Sequence, residues 1–275
     1  SSWLDASELS ALNRAPVGEP VTLSAETLAV LKAAQRLYDT TDGAFDVTCG
    51  PLIDLWREAA DSGELPELDA LERARSVSGW AGFELREGEA VRTIEGARID
   101  LGGIAKGYAI DEAVETLREA GGVAGGLVDV GGDVRVFGAS PGGGTWQVGL
   151  RAPEEQPRPW GKIAVSDGAV ATSGHYARYV EIDGERYSHI IDPRTGRPAE
   201  EASLTVTVVG PSALRADAWA TALSVLGPAG LDELASEPGL EAFVVHGPAE
   251  APRAIATSGF PPIEDLGGLP PVTRR

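Results

Sequence analysis

Apolar residues recur at the spacing of an amphipathic α-helix in two segments, residues 24–40 and 212–226. Ser24 stands at the start of the first segment, where its hydroxyl can cap the first turn of a helix. Gly227 and Pro228 follow the second segment and would end it. The pattern therefore predicts two long helices.

Between residues 127 and 209, apolar and polar residues alternate in short runs that Gly, Pro and Asp separate. Two shorter helices are expected, one within residues 61–78 and one at Leu231–Ala235. A last strand is expected at Phe243–Val245, and the proline- and glycine-rich tail from Pro261 is expected to be loose. Because helices interrupt a mostly antiparallel β pattern, the predicted fold class is α+β. The six strands predicted in the alternating region are Leu127–Val130, Val134–Phe137, Trp146–Leu150, Ile163–Val165, Tyr179–Ile182 and Leu204–Val209.

The segment Asp100–Gly107 (D-L-G-G-I-A-K-G) has the pattern of a turn from a strand into a helix. Residues 97–101 alternate as in a strand, and apolar residues at helical spacing follow the turn until Gly121–Gly122. Glycines at such a junction let backbone amides approach a phosphate, and Lys106 would add a positive charge. The glycine spacing fits neither the dinucleotide fingerprint nor the P-loop. A tight turn without a ligand is the alternative.

Composition and charge narrow the function classes. The chain has 275 residues, 43% of them hydrophobic, and a formal net charge of −19. Such an acidic surface repels nucleic acid and anionic membranes, and nucleic acid is therefore not an expected partner. No apolar run approaches the ~20 residues that a transmembrane helix needs. The single cysteine, Cys49, excludes an intrachain disulfide.

Two groups of residues could carry chemistry. Asp217 and Thr221 lie four residues apart on the second long helix, so they share a face and could both bind a hard cation such as Mg²⁺. An ordinary polar helix face is the alternative. His189 offers an imidazole, which suits proton removal near neutral pH, although a single strand histidine is more often structural.

Five segments of the chain stand in a recognisable order. They are G-A-F-D-V-T-C-G-P-L (Gly43–Leu52), D-L-G-G-I-A-K-G-Y (Asp100–Tyr108), G-G-D-V (Gly131–Val134), Y-S-H-I-I-D-P-R-T-G (Tyr187–Gly196) and A-D-A-W-A-T-A (Ala216–Ala222). Together they resemble the ApbE family, the FAD:protein FMN transferases. The resemblance implies a single flavin transferase domain over residues 1–275. Family members usually open with a strand carrying a T-M-G-T-like motif, which is absent here.

The resemblance also assigns residues to roles. His189 is the expected base that activates the acceptor hydroxyl, and Lys106 is expected to assist at the phosphates. Gly131–Asp133 is expected to form a tight turn in the pocket wall. The expected FAD contacts are Ala44, Phe45, Asp46, Asp100, Lys106 and Ile191. The expected Mg²⁺ ligands are Asp217, Thr221 and the backbone carbonyls of Gly103 and Ala220.

The activity that the resemblance implies is Mg²⁺-dependent transfer of FMN from FAD onto a Ser or Thr hydroxyl of an acceptor redox protein, with release of AMP. Two alternatives remain: an FAD pyrophosphatase that gives FMN and AMP, and a non-catalytic flavin-binding protein. Many family members are exported and attached to membranes. The expected location is therefore the extracytoplasmic face of the membrane if a leader was removed, and the cytoplasm otherwise.

Overall fold

The computed structural model describes residues 4–151, 159–174, 179–199, 203–248 and 250–275. Its contacts fall into two compact units, and the chain passes between them three times. The prediction of a single domain stays a prediction. The first unit comprises Ser1–Ala105 and Tyr179–Ala199, and the second comprises Lys106–Arg178 and Glu200–Arg275.

Seven α-helices occur in the described residues, and most begin or end at a residue suited to that position. Ser7, Ser24 and Ser212 each cap a helix by accepting a hydrogen bond from a backbone N–H three residues later. Gly63 ends a helix in the left-handed conformation, with a φ of 75°. The helices are α1 Glu8–Arg14, α2 Ala25–Thr40, α3 Gly50–Ser62, α4 Leu68–Ser76, α5 Ala105–Ala120, α6 Ala213–Leu226 and α7 Leu231–Leu234.

Seventeen strands occur in the same described ranges, and nearly all of them pair antiparallel. In chain order they are β1 Pro20–Thr22, β2 Phe83–Leu85, β3 Glu89–Arg92, β4 Gly125–Val130, β5 Asp133–Gly138, β6 Trp146–Leu150, β7 Gly161–Val165, β8 Gly168–Gly174, β9 Tyr179–Ile182, β10 Glu185–Ser188, β11 Ile191–Asp192, β12 Arg197–Pro198, β13 Thr205–Gly210, β14 Glu241–His246, β15 Arg253–Ala256, β16 Ile263–Asp265 and β17 Val272–Arg274.

The first unit combines helices α1 to α4 with three small β elements. Its three-stranded sheet has the order β1-β3-β2, and β9 pairs with β10 as β11 does with β12. The indole N–H of Trp56 on α3 donates to the carbonyl of Gly196 at 2.9 Å, which ties the β11–β12 turn to the helix. The apolar cluster of this unit contains Cys49, Leu52, Trp56, Ala59, Leu71, Ile182 and Ile191.

The second unit is built on a seven-stranded sheet with the order β17-β15-β14-β13-β8-β5-β4. Helix α6 packs against β8 and β13 in the middle of this sheet. A second sheet, in the order β16-β7-β6, contributes to an apolar cluster of the unit. That cluster contains Val134, Val136, Val148, Leu150, Trp160, Ile163, Val165, Val170, Phe243, Val245, Ala254, Ala256 and Phe260.

The sequence predictions hold for the long helices and for the alternating region. Helices α2 and α6 have nearly the predicted bounds, and Ser24 caps α2 as predicted. The six predicted strands all form, within two residues of their expected ends, and the α+β class is confirmed. In the described part of the chain, no helix has the length and apolar character needed to cross a membrane.

The strand predicted over residues 97–101 is wrong. The segment is irregular apart from an isolated parallel bridge between Arg98 and Cys49, and Ala97 and Ile99 are buried. The backbone of Ile99 pairs with the side chain of Asn13, which donates to its carbonyl at 2.9 Å and accepts from its N–H at 2.8 Å. A distant side chain of this kind leaves no mark in the local pattern.

Two predictions for the C-terminal region are also wrong. Phe243–Val245 is not the last strand, and the tail from Pro261 is not loose. Strands β15, β16 and β17 follow, and the last two lie within the expected loose tail. Prolines there still offer carbonyls: Pro271 accepts a hydrogen bond from the N–H of Ala254 at 3.0 Å. The partners of the tail lie far away in the sequence, as when β16 pairs with β7.

Candidate functional site

Helices α5 and α6 of the second unit meet at Gly107. The N–H of Gly107 donates to Oδ2 of Asp217 at 2.9 Å. A Cβ atom at position 107 would lie 2.2 Å from the carbonyl oxygen of Ala213, so only glycine allows this approach. The last glycine of the D-L-G-G-I-A-K-G segment therefore serves helix packing, and it fixes one oxygen of the Asp217 carboxylate.

The start of α6 is held by a carboxylate from α5. Asp111 accepts hydrogen bonds from the Ser212 hydroxyl at 2.7 Å and from the N–H groups of Ala213 at 2.8 Å and Leu214 at 3.0 Å. Arg135 forms an ion pair with the same carboxylate at 2.9 Å. A negative charge at a helix N-terminus is favourable. Asp111 is not among the residues predicted from the sequence, because its partners lie about a hundred residues away.

Lys106 lies between two buried carboxylates in the second unit. Its ammonium pairs with Oδ2 of Asp133 and lies 3.6 Å from Oδ1 of Asp217. The other Asp133 oxygen accepts from the N–H of Thr172 at 2.9 Å. Asp133 is 2% exposed and Asp217 is 3% exposed, whereas the Lys106 side chain is 34% exposed. Because two buried carboxylates surround a single ammonium, this group of three side chains carries a net negative charge.

The charges around Asp217 act on its protonation. Burial raises the pKa of Asp217, Lys106 lowers it, and the negative charge of Asp133 raises it further.

The G-G-D segment (Gly131–Asp133) does more than form the expected turn. Gly131 and Gly132 do make that turn, with φ angles of 64° and 95°, but Asp133 also holds Lys106.

The second unit contains three of the four expected Mg²⁺ ligands, all on α6. Asp217 is buried, Thr221 lies one turn later and is half-buried, and the carbonyl of Ala220 accepts from the Ser224 hydroxyl at 2.8 Å. Within the described ranges, no group of three or more His, Cys, Asp or Glu side chains could hold a metal ion. The expected Mg²⁺ site is of a different kind, because it combines one carboxylate with a hydroxyl and two backbone carbonyls.

The donor types and the charge balance fit a hard divalent cation. Oδ1 of Asp217 lies 3.6 Å from the ammonium of Lys106, which is longer than a hydrogen bond, so this oxygen can still serve a cation. The local excess of negative charge favours a positive ligand. Carboxylate and hydroxyl oxygens are those that Mg²⁺ prefers. The fourth expected ligand, Gly103, belongs to the first unit.

The A-F-D segment of the first unit is almost fully buried. Ala44 and Phe45 lie in the interior, Phe45 with 3% of its surface exposed, so the apolar surface expected from Phe45 is small. Asp46 is also buried, and its Oδ1 accepts from the N–H of Thr48 at 2.8 Å and from the Thr48 hydroxyl at 2.6 Å. Burial raises the pKa of Asp46 to about 6, although the hydrogen bonds from Thr48 oppose the shift.

Asp46 lines a cleft of about 460 Å³ that lies within the first unit. Tyr38 lies beside it, and burial together with nearby carboxylates raises the pKa of the Tyr38 phenol. Arg75 and Arg194 line the same cleft, and Arg75 donates to the carbonyl of Arg194 at 3.1 Å. Arg194 itself chelates the carboxylate of Asp192, with both contacts at 2.9 Å. The predicted D-P-R-T-G turn therefore forms one wall of this cleft.

The remaining expected residues of the first unit differ in how accessible they are. Asp100 closes its own turn, because Oδ1 accepts from the N–H of Gly102 at 2.7 Å, and Oδ2 lies 3.7 Å from Arg57. Ile191 packs in the apolar cluster and is 8% exposed. His189 is exposed in the bend that follows β10. Of these residues, His189 is the one that presents a titratable side chain to solvent.

Comparison with known proteins identifies the family. A sequence model of the ApbE family matches residues 1–244. The chain belongs to the ApbE family. The FAD:protein FMN transferase of Vibrio cholerae is 37% identical over 230 residues, which cover 82% of this chain and 69% of that relative. The FAD:protein FMN transferase of Treponema pallidum is 35% identical over 269 residues, which cover 92% and 74%.

Solved structures of the family have the same fold. The flavin transferase ApbE from Vibrio cholerae matches with a TM-score of 0.83 and 32% identity, over 94% of this chain and 84% of that structure. The ApbE protein of Thermotoga maritima matches with a TM-score of 0.78 and 34% identity, over 94% and 81%. The ApbE fold predicted from the sequence is thereby confirmed.

Proposed function

We propose that the protein transfers FMN from FAD onto a Ser or Thr hydroxyl of an acceptor redox protein, with Mg²⁺ bound and AMP released. The relatives that cover most of the chain are FAD:protein FMN transferases. The observation that carries the proposal for this chain is the buried group of Lys106, Asp133 and Asp217. It combines a carboxylate suited to a divalent cation with an ammonium suited to a phosphate.

In the proposed reaction, the acceptor oxygen bonds to the phosphorus of the FMN half, and the bond from that phosphorus to the AMP oxygen breaks. His189 takes the proton of the acceptor hydroxyl, since an exposed imidazole is a suitable base near neutral pH. Lys106, whose side chain is partly exposed, binds a phosphate oxygen through its ammonium. Asp217 and Thr221 hold Mg²⁺, which when bound would neutralise pyrophosphate charge.

The experiment is FMN transfer by the wild-type chain and by Asp217→Asn, with FAD and MgCl₂, to candidate redox acceptors, read by the mass of the intact acceptor. The substitution keeps an oxygen for the N–H of Gly107 but removes the charge that would hold the cation. We expect the rate to fall by at least ~10²-fold, the scale of losing one main electrostatic contact. Asp232→Asn, which alters an exposed ion pair with Arg275, is the matched control.

The outcomes separate the candidate functions. FMN on the acceptor together with AMP supports the transferase, whereas free FMN and AMP in the presence of acceptor would indicate a pyrophosphatase. FAD that is bound but unchanged would indicate a flavin-binding protein. Transfer at the same rate with EDTA or in Asp217→Asn would remove the cation from the proposal.

A further inference from the structure

Within the charged group formed by Lys106, Asp133 and Asp217, Asp133 differs from Asp217 in that both of its carboxylate oxygens are engaged. It is 2% exposed, and both of its oxygens are taken: Thr172 donates its N–H to one at 2.9 Å, and Lys106 pairs with the other. Asp133 is the first residue of β5 and Thr172 lies on β8, two neighbouring strands of the seven-stranded sheet. The Asp133 carboxylate is thus a fixed point of the sheet.

The ammonium of Lys106 lies within ion-pair distance of two buried carboxylates, and it is closer to that of Asp133. The ammonium contacts Asp133 directly, whereas Oδ1 of Asp217 lies 3.6 Å away. Without the charge of Asp133, the remaining carboxylate would attract the whole ammonium, because a flexible lysine stem readily covers such a distance. Lys106 would then occupy the oxygen that a cation needs.

We propose that Asp133 is a positioning residue that holds Lys106 back from Oδ1 of Asp217 and so keeps this oxygen available to a divalent cation. This inference rests on the proposed function for the cation site and adds a role for the G-G-D segment. It predicts that removing a negative charge at position 133 weakens cation binding through Lys106, in addition to any direct effect of the charge. The two contributions can be separated experimentally.

The test is a double-mutant cycle on the whole chain, made of wild type, Asp133→Asn, Lys106→Met and the double variant. Binding of Mg²⁺ and of Mn²⁺ alone, without FAD, is measured by titration calorimetry, and Mn²⁺ also by electron paramagnetic resonance. We expect Asp133→Asn to weaken cation binding by about 10-fold or more with Lys106 present, and by much less in the Lys106→Met background. Asp167→Asn, which breaks an exposed ion pair with Arg118 in the same unit, is the control for loss of charge.

Equal effects of Asp133→Asn in the two backgrounds would overturn the inference, because the charge would then act without Lys106. Unchanged cation binding in Asp133→Asn, accompanied by lower stability in urea, would reduce Asp133 to a structural role and would also overturn it. In either case the proposed function survives, provided that wild type binds the cation. A wild type that binds neither cation would refute both the inference and the cation part of the proposed function.

A second readout uses FMN transfer. If Asp133 acts through cation access, Asp133→Asn should raise the Mg²⁺ concentration needed for half the maximal rate. The rate at saturating Mg²⁺ should then approach that of wild type, which a general loss of folded protein would not allow. A rate that stays low at every Mg²⁺ concentration would contradict the inference.

Discussion

Each unit buries a titrating carboxylate of the expected site, Asp46 in the first unit and Asp217 in the second, and the surroundings of the two differ. Asp46 in the first unit is held by neutral donors, the N–H and hydroxyl of Thr48. Asp217 in the second unit lies near an ammonium and a second carboxylate. Burial raises the pKa of both. The first carboxyl is thus a hydrogen-bonding group of a cleft, whereas the second belongs to the charged group to which the proposed function assigns a cation.

Most of the other expected residues in the first unit are buried or bonded within their own turn. In the first unit Ala44, Phe45 and Ile191 are buried, and Asp100 is bonded to its own turn. His189 is the exception, because it is exposed. If the first unit contributes binding only, the loss of this imidazole should matter little. If the first unit contributes to catalysis, removing the His189 imidazole should lower the transfer rate more than any other substitution outside the group of Lys106, Asp133 and Asp217.

The first prediction therefore concerns His189→Asn. We expect the rate of FMN transfer to fall ~10²–10⁴-fold, the usual cost of removing a general base, while FAD affinity stays nearly constant. Rates come from acceptor mass, and affinity from flavin fluorescence. His246→Asn, at the end of β14, controls for the loss of an imidazole.

A near wild-type rate in His189→Asn would limit the first unit to binding. The base would then have to be a carboxylate, or the acceptor hydroxyl would react without one. Equal losses in the two histidine variants would point to a general effect on folding.

The second prediction concerns Asp46→Asn and the pH dependence of stability. Because the pKa of Asp46 rises from 3.8 to about 6 on folding, its favourable contribution is present below pH 3.8 and is lost as the pH rises through about 6. Asparagine removes this dependence. The variant should therefore gain stability relative to wild type between pH 4 and pH 7, by at most about 3 kcal/mol. Urea unfolding at both pH values measures the difference.

Asp42→Asn is the matched control, because this exposed residue lines the same cleft and the change removes the same charge. A stability difference between Asp46→Asn and wild type that does not vary with pH would mean that Asp46 is ionised as easily in the folded chain as in the unfolded one. The contrast between the two buried carboxylates would then rest on Asp217 alone.

Local patterns predicted the parts of the molecule that local physics decides. The two long helices and the six strands follow from spacing and caps within a few residues of each other. The position of Asp217 and Thr221 on one helix face could be predicted for the same reason. The ApbE fold was predicted from the five motifs, whereas periodicity predicted the individual elements and the α+β class.

What the sequence could not reveal depends on partners far away along the chain. Asp111 stabilises a helix that begins about a hundred residues later. Asp133 meets Lys106 across 27 positions, and Asn13 pairs with the backbone of Ile99 across 86. Such pairs are set by tertiary packing, and a single sequence contains no period or spacing that marks them.

The smallest expected effect comes from Asp111→Asn, which tests how the charged group is supported. The variant keeps one acceptor for the start of α6 but loses the charge that faces the helix N-terminus and Arg135. We expect a loss of about 1–2 kcal/mol in the free energy of unfolding. Because Asp217 lies on the second turn of α6, cation binding should weaken only a few-fold, as fraying at the helix start loosens that turn. Glu112→Gln, an exposed neighbour on the same helix, removes one charge as a control. Asp111→Asn with unchanged stability and a large loss of cation binding would mean that Asp111 acts on the cation directly, and the second unit would then contain a third carboxylate of the charged group.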